Sequence, residues 1–362
     1  KLSPHQQEVI HHRAHTLVEQ VRTARKKEGG IDAFMQQYDL SSEEGIALMC
    51  LAEALLRIPD SSTIDKLLED KIGSSDWQKH LGSSDSWFVN AATWSLMLTG
   101  KIYDKDAESD KKLGSAIKKL AHKSGGGVIR QAVRQGMKHL GKQFVMGRTI
   151  DEAIKRAKEA EKAGYTYSYD MLGEAAHTHE DALRYYQSYE TAIHAIGKKA
   201  KAISPETAPG LSVKLSALHP RYELAQRQSC FPVLVERLHA LAILAKKYNI
   251  GLTVDAEEAD RLELSLDIIE AVYSSTDLSG WEGFGLAVQA YQKRAPYVID
   301  WLIDLAKKHG RKIMVRLVKG AYWDTEVKNA QAMGFDSYPV YTRKNNTDVS
   351  YIACMKKLLD AR

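Results

Sequence analysis

The sequence lacks long apolar runs and is poor in cysteine, and both features limit the classes of protein to which it can belong. No segment approaches the roughly 18–20 uninterrupted apolar residues of a membrane-spanning helix. Residues 1–15 lack the apolar core of a signal peptide. The three cysteines, Cys50, Cys230 and Cys354, lie far apart without a CxxC pair. This spacing argues against a disulfide framework and a zinc site, so we expect a cytoplasmic protein.

Several catalytic signatures are missing as well. The sequence contains no GxGxxG, no P-loop GxxxxGK[ST], no HExxH and no GxSxG. The histidines His194, His219 and His239 have no tight ligand spacing, so we expect no metal site. A pocket without an evident nucleophile or metal is typical of an enzyme whose chemistry belongs to an organic cofactor.

The overall composition is that of an ordinary soluble globular protein. Hydrophobic residues make up 44% and charged residues 27% of the 362 residues, which is enough chain for one large domain or two. The net charge of +5 permits contact with nucleic acid or a membrane surface, but it does not by itself argue for either.

The first 145 residues have a helical pattern. We divide them into an N-terminal helical arm at 1–40, an α-domain at 41–100 and a basic helical linker at 101–145. The α-domain contains a capping box, Ser41 with Glu44, followed by a broad apolar helix face. So much apolar surface on one helix predicts that the helix is buried.

The linker is rich in positive charge, with eleven Lys or Arg against four Asp or Glu in residues 101–143. It is interrupted by KSGGGV at 123–128. One interpretation is a surface for nucleic acid or anionic lipid, and the other is a solvated connector. We favour the connector because no aromatic residue that could stack on bases lies among the charges from Asp104 onward.

From residue 146 onward, predicted strands and helices alternate. The strands are predicted at 165–172, 210–218, 250–258, 283–291 and 312–320. The helices are predicted at 179–200, 232–248, 260–273, 295–309, 324–333 and 348–362. This alternation indicates βαβ units with a parallel sheet, either a doubly wound sheet or a (β/α)8 TIM-type barrel.

Polar residues lie at or toward the C-terminal ends of these strands, and they are Glu174, Lys214, Asp255, Gln289, Arg316 and Lys319. A doubly wound sheet would concentrate such residues at one switch point. A barrel instead takes one or two from each strand. The distribution therefore favours an α/β fold with a (β/α)8 barrel, of which residues 146–362 supply about five strands, preceded by an all-α domain.

Five segments of this region resemble a known family, and they are YSYDMLGEAA, SVKLSALHPRY, DAEEADRLELSLD, VQAYQKR and RLVKGAYWD. Together with LSSEEGIALMCLAEALLRIPD and FVNAATW in the α-domain, they closely resemble the proline dehydrogenase domain of the bacterial bifunctional flavoenzymes called proline utilization A. The resemblance covers nearly the whole chain. It implies an FAD-dependent (β/α)8 barrel that oxidises L-proline to Δ1-pyrroline-5-carboxylate by hydride transfer to flavin N5.

The resemblance also implies partners. Electrons would pass to a membrane quinone, so the cytoplasmic protein would associate peripherally with the membrane when it is reduced. An aldehyde dehydrogenase domain of the same polypeptide would carry the product on to glutamate. DNA is implied as a partner only if an N-terminal DNA-binding domain exists outside this chain.

The resemblance further assigns roles to individual residues. The implied catalytic residues are Lys214 at the proline carboxylate, Arg316 near flavin N5, Asp255 and Tyr322 in the substrate pocket, and Glu174, which supports a carboxylate-binding arginine. The implied FAD-binding residues are Gln289, Arg316, Val318, Lys319, Gly320, Ala321, Trp323 and Thr342. Elementary chemistry agrees, because a fixed cation stabilises the negative charge of a reduced flavin, and a glycine lets backbone approach a flat ring.

Other interpretations stay open at this point. The family barrel continues through three further strands and a last helix, so we expect the chain by itself to show little or no turnover. A Schiff-base lyase using Lys214 or Lys319 is the alternative enzyme, favoured by Arg316, whose charge would depress the pKa of a neighbouring lysine. A basic nucleic-acid-binding or membrane-binding module is the alternative from another class.

Overall fold

The computed structural model describes residues 2–25, 63, 145–173, 175–200 and 204–361. The chain divides into two units, 1–147 and 148–362, and each is described by itself. Helix α1 (Pro4–Arg25) belongs to the first unit and coincides with part of the predicted arm. The predicted α-domain, apart from residue 63, and the predicted linker up to residue 144 lie outside the described residues.

The second unit alternates strands with helices along the chain. Its strands are β1 (Ser168–Tyr169), β2 (Gly210–Val213), β3 (Gly251–Val254), β4 (Phe284–Gln289) and β5 (Met314–Val318). Its α-helices are α2 (Ile150–Lys162), α3 (His179–Gly197), α4 (Leu215–Leu218), α5 (Arg227–Lys247), α6 (Leu262–Tyr273), α7 (Ala295–His309), α8 (Trp323–Ala332) and α9 (Lys344–Asp360). Short 3-10 turns lie at Leu224–Gln226, Ala259–Arg261 and Thr276–Leu278.

Several helix ends follow from local sequence. The Thr178 hydroxyl accepts the backbone N–H of Asp181 at the start of α3, and the Asp181 carboxylate accepts the N–H of Thr178 in return. This reciprocal pair is a capping box. Helix α7 ends at Gly310, whose φ of 58° is the left-handed conformation that a glycine adopts at low cost.

The five strands form one parallel sheet in the order β1-β2-β3-β4-β5. Each strand therefore lies beside the strand that precedes it in the sequence. A doubly wound sheet would instead reverse its strand order at a switch point. The sheet is curled in the manner of a TIM-type half-barrel, so the predicted fold class is confirmed.

The strand register separates two faces of the sheet. Partner residues in neighbouring parallel strands point to the same side, and successive residues point to opposite sides. One face carries only apolar side chains, and they are Tyr169, Leu211, Val213, Leu252, Val254, Phe284, Leu286, Val288, Val315 and Leu317. The other face carries Ser168, Gly210, Ser212, Gly251, Thr253, Gly285, Ala287, Gln289, Met314, Arg316 and Val318. We call this second set the inner face.

The apolar face is covered by helices, and this packing forms the core. Leu234, Leu238 and Leu241 of α5 and Ile268 of α6 are fully buried. Burying a large aliphatic side chain contributes about 1.5–3 kcal/mol, so the helix layer supplies much of the driving force for folding. By length and composition alone, Leu224–Lys247 could also cross a membrane, but its buried leucines are those of a core helix.

The strand predicted at 210–218 ends early, at Val213, and residues Leu215–Leu218 form the helical turn α4. The cause lies in another part of the chain. The Glu257 carboxylate accepts the Ser216 backbone N–H at 3.1 Å, and the Ser216 carbonyl accepts the Ala176 N–H at 3.2 Å. These bonds take the backbone of Ser216 out of the sheet ladder.

Other boundaries differ as well. Strand β1 has two residues where eight were predicted, helix α5 begins at Arg227 rather than 232, and helix α9 begins at Lys344 rather than 348. Pro232 lies inside α5, where it removes one backbone donor without ending the helix. Strand β5, predicted to be buried, is half-buried along its whole length because it forms an edge of the sheet.

Candidate active site

Three of the predicted charged residues contact one another at the C-terminal ends of the strands. Lys214 follows β2, Asp255 follows β3, and Arg316 lies in β5. The Asp255 carboxylate accepts from Lys214 Nζ through Oδ2 at 2.9 Å and from Arg316 Nη1 through Oδ1 at 2.9 Å. One carboxylate thus joins side chains from three strands.

Arg316 reaches across the inner face to the opposite end of the sheet. Its Nη2 donates to Ser168 Oγ on β1 and to Ser212 Oγ on β2, both at 2.7 Å. Since β5 and β1 are the two edges of the sheet, this contact requires the sheet to curl, with the inner face concave. The two serine hydroxyls are 3.3 Å apart.

Lys214 contacts a second carboxylate. It donates to Asp170 Oδ1 at 3.0 Å, so among the described residues Lys214 and Arg316 contact Asp170 and Asp255. The Asp255 side chain is only 12% exposed, whereas that of Asp170 is 44% exposed. Ions in a poorly hydrated site lose solvation, so each of them needs a partner of opposite charge.

The sequence pattern did not single out Ser168, Ser212 or Asp170. Ser168 lies two positions before Asp170. Ser212 lies two positions before Lys214, which the sequence pattern did identify. Period-two spacing of polar residues in a strand places them on one face. That spacing is the feature that could have identified them.

Gln289 connects two loops at the end of β4. Its Nε2 donates to the Glu257 backbone carbonyl at 2.9 Å, and its Oε1 accepts the Ala321 backbone N–H at 3.0 Å. The residue is 4% exposed, so both bonds are shielded from water. The amide therefore holds the loop after β3 and the loop after β5 at a fixed separation.

The loop after β5 packs on Tyr291. Gly320 has a φ of 145°, and a Cβ on it would lie closer than 3.0 Å to ring carbons of Tyr291. The Tyr291 hydroxyl accepts the Tyr322 backbone N–H at 3.2 Å. Gly320 is thus required here by a tyrosine ring of the protein itself.

Two further acids stabilise the loop after β3. The buried Glu257 carboxylate contacts Arg261 at 3.2 Å, and burial raises its pKa above the usual range. Glu326 of α8 accepts the Ala259 backbone N–H at 2.6 Å, and burial raises its pKa as well. Neither glutamate stands out in the sequence, because both lie outside the strands.

Tyr322 lies half-buried beside this acidic loop. Burial raises the pKa of its phenol to about 12, and the neighbouring Glu257 and Glu258 act in the same direction. Lys214 acts in the opposite direction, which places Tyr322 within electrostatic reach of the charged cluster. The phenol therefore stays protonated across the physiological range.

The remaining predicted cofactor residues lie around the end of β5. Lys319 Nζ contacts Asp348 of α9 at 2.6 Å, and Trp323 Nε1 donates to the Tyr341 carbonyl at 3.0 Å. Val318 is half-buried and belongs to the inner face, and Thr342 is exposed. Glu174 lies outside the described residues.

The structure corrects one electrostatic expectation. Arg316 was expected to depress the pKa of Lys319, but the hydrogen bond from Lys319 to Asp348 raises it. Lys214 in turn forms ion pairs with the carboxylates of Asp170 and Asp255. Because a Schiff-base lysine must be a neutral amine, neither lysine has the environment that the lyase interpretation needs.

Comparisons with known proteins agree with this architecture. The sequence profile of the family described as "Proline dehydrogenase" matches residues 153–362, which is more than half of the chain. A second profile, described as "DNA-binding domain of Proline dehydrogenase", matches residues 30–144.

Curated relatives extend the match over nearly the whole chain. The bifunctional protein PutA of Klebsiella aerogenes is 52% identical over 355 residues, which are 97% of this chain and 27% of that protein. PutA of Rhizobium meliloti is 53% identical over 340 residues, 94% of this chain and 27% of its own length. The chain thus spans about a quarter of the length of these relatives.

Solved structures give the same result. A crystal structure of Bradyrhizobium japonicum Proline Utilization A (PutA) superposes with a TM-score of 0.69 at 46% identity, covering 100% of this chain and 36% of that one. The profile match, the parallel half-barrel and the polar cluster at its C-terminal edge lead to one conclusion. The chain belongs to the proline dehydrogenase family.

Proposed function

We propose that this chain carries part of the active site of an FAD-dependent enzyme that oxidises L-proline to Δ1-pyrroline-5-carboxylate. The observation that carries the proposal is the cluster of Lys214, Arg316 and Asp255 on the concave face of a parallel half-barrel. Proline dehydrogenase membership supports the substrate. The location supports the site, because TIM-type barrels bind their substrates at the C-terminal ends of the strands.

The residues of the inner face suit a flavin ring. The Arg316 side chain is 36% exposed and keeps a fixed positive charge, which would stabilise the negative charge of a reduced flavin. Gln289 accepts the Ala321 backbone N–H at 3.0 Å and so fixes the loop that is proposed to contact the cofactor. When bound, FAD would supply the hydride acceptor, its N5 atom. Val318, Lys319, Gly320, Trp323 and Thr342 are the further residues proposed to hold the cofactor.

Lys214 is the proposed contact for the proline carboxylate. Its ammonium is held by Asp170 and Asp255, so its position is fixed before a ligand arrives. A cation in a partly dry pocket forms a strong, charge-assisted hydrogen bond with a carboxylate. Tyr322, with a phenol that stays neutral, would line the substrate side of the pocket and help to exclude water. Glu174 is proposed to support a carboxylate-binding arginine.

The rest of the proposed pathway concerns the whole protein. The relatives are described as bifunctional, which supports an aldehyde dehydrogenase domain that carries the product on to glutamate. We propose that the electrons reach a quinone at the membrane surface, and that the protein is cytoplasmic and associates peripherally with the membrane when reduced.

A flavin spectrum of the protein that contains this chain tests the proposal. We expect flavin absorbance bands that bleach when L-proline is added without oxygen. The variant Arg316→Lys should slow the bleaching at least tenfold, because lysine cannot reproduce three directed hydrogen bonds. The matched control, Arg343→Lys at an exposed position, should bleach at the normal rate. A protein that binds no flavin would refute the proposal.

A second function is favoured by one observation, the match of residues 30–144 to a profile described as a DNA-binding domain. The eleven Lys or Arg against four Asp or Glu in residues 101–143 agree with it. If the segment binds DNA through phosphates, affinity should fall steeply with salt, and reversing four of these charges should flatten that dependence. Binding that is unaffected by charge reversal would exclude this function.

A further inference from the structure

The hydrogen bonds of Arg316 divide its guanidinium into two parts. An arginine side chain has five N–H donors. Three of them are used, by Asp255 on Nη1 and by Ser168 and Ser212 on Nη2. The Nη2 end is therefore fully occupied by the two serines, and the two remaining donors are Nε–H and one N–H of Nη1. Nε–H lies beside Nη2 and Nη1 lies on the side of Cδ, so these two donors point in different directions.

The two serines that accept hydrogen bonds from Nη2 differ in burial. Ser212 is 0% exposed and Ser168 is exposed, yet both oxygens lie 2.7 Å from the same nitrogen. Their strands, β1 and β2, are neighbours, and their hydroxyls are 3.3 Å apart. One hydroxyl can donate to the other, so the pair forms a small network that accepts both N–H groups of Nη2.

The chemistry of the acceptors matters as much as their position. A hydroxyl oxygen accepts a hydrogen bond without cancelling the positive charge of its donor. A carboxylate in place of the serines would neutralise the charge of Arg316 further, because Asp255 already neutralises part of it. Two hydroxyls therefore fix the direction of the guanidinium and leave its charge available.

We propose that Ser168 and Ser212 are positioning residues that fix the orientation of the Arg316 guanidinium, so that its charge faces a bound flavin and stabilises the reduced form. The inference rests on the proposed function, since it concerns how the cofactor would be held. Neither serine needs to touch the flavin, because each acts through Arg316. Rigid support of this kind keeps a charged donor within the narrow geometry that a reacting group requires.

The test measures the midpoint potential of the bound FAD in serine variants of the flavin-loaded protein. Ser212→Ala and Ser168→Ala should each lower the equilibrium constant for two-electron flavin reduction about tenfold, which corresponds to about 30 mV. Ser168→Thr keeps a hydroxyl at an exposed position and should restore the original potential. Ser229→Ala, the control, removes an exposed hydroxyl that donates to the Gln226 carbonyl at the start of α5, away from the sheet, and should leave the potential unchanged.

Steady-state kinetics give a second readout. The alanine variants should lower kcat for proline oxidation several-fold with little change in KM, because Arg316 is assigned to the flavin and not to the proline carboxylate. FAD affinity, measured by titrating the flavin-free protein, should weaken about threefold to tenfold in the same variants and recover in Ser168→Thr.

The outcomes separate this inference from the proposed function. Unchanged potentials in both alanine variants, in a protein that binds flavin and oxidises proline, would overturn the role of the serines alone. Absence of flavin from the unmodified protein would overturn the proposed function first. If the buried Ser212→Ala variant does not fold, the exposed Ser168→Ala and Ser168→Thr pair decides the question. Equal shifts in Ser168→Ala and Ser229→Ala would also contradict the inference.

Discussion

Replacing Gly320 with alanine should damage the loop after β5 more than the same change at another left-handed glycine. Gly320 has a φ of 145°, a conformation that side-chain-bearing residues rarely adopt. Its added Cβ would lie closer than 3.0 Å to the ring of Tyr291. Tyr291 is 3% exposed and is held by its own N–H on the Lys319 carbonyl at 2.7 Å, so the ring cannot move aside.

The expected cost has two parts. Backbone strain at such a φ costs about 1–3 kcal/mol, and overpacking against a fixed ring costs about 1–3 kcal/mol more. Gly320→Ala should therefore lower the free energy of unfolding by about 2–6 kcal/mol. Gly310→Ala is the matched control, because Gly310 has a φ of 58° but its Cβ would meet nothing within 4 Å. That variant should cost only about 1–2 kcal/mol.

Urea unfolding followed by circular dichroism measures both variants. A double mutant separates the two parts, because Tyr291→Ala removes the ring and should make Gly320→Ala less costly in that background. Flavin retention provides a functional readout, since the displaced loop carries Ala321 and Tyr322. If Gly320→Ala costs no more than Gly310→Ala, the ring contact does not constrain the loop and the reasoning is wrong.

Three other changes probe the site. Asp255→Asn removes the carboxylate shared by Lys214 and Arg316. It should lower the free energy of unfolding in urea by about 3–5 kcal/mol and greatly slow flavin reduction by proline. A loss below about 1 kcal/mol would contradict the shared role. Gln289→Leu leaves two buried backbone groups without partners; we expect a loss of about 2–4 kcal/mol and weaker FAD binding, and unchanged FAD affinity would count against it. Burial raises the pKa of Tyr322 to about 12, so the folded state favours the protonated phenol, and stability should fall as pH rises from about 10 towards 12. Tyr322→Phe should make that fall shallower in urea unfolding between about pH 10 and 12, and an identical pH slope would refute the assignment.

The sequence identified three charged residues that contact one another in the structure, Lys214, Asp255 and Arg316, together with Gln289. Buried parallel strands are normally apolar, so charged or amide side chains in or next to them indicate a function. The residues identified in this way are Lys214, Asp255, Gln289 and Arg316. Their placement at successive strand ends also predicted the barrel, since a parallel sheet brings those ends to one edge. The structure confirms the sheet order, which is the part of the fold that this argument determines.

The partners of these residues could not be read from the sequence. Ser168 and Ser212 are small polar residues that strands tolerate for many reasons, and their contact with Arg316 spans 148 and 104 residues of chain. Only the curl of the sheet brings them together. The reversed pKa shift of Lys319 has the same origin, because Asp348 lies in a different helix. Local patterns describe which residues are unusual, and the tertiary fold decides what they touch.

A substrate carboxylate that binds Lys214 would compete with the existing contacts of this lysine, which include Asp170 and Asp255. The free energy needed to break each of these two ion pairs differs. The Asp170 side chain is 44% exposed, and exposed ion pairs contribute little, whereas Asp255 is 12% exposed and also contacts Arg316. On the proposed function, the carboxylate of a zwitterionic amino acid would therefore replace Asp170 at Lys214 and leave Asp255 in place. The displaced Asp170 would remain near enough to face the positively charged amine, so the cluster offers groups of both signs to a zwitterionic ligand.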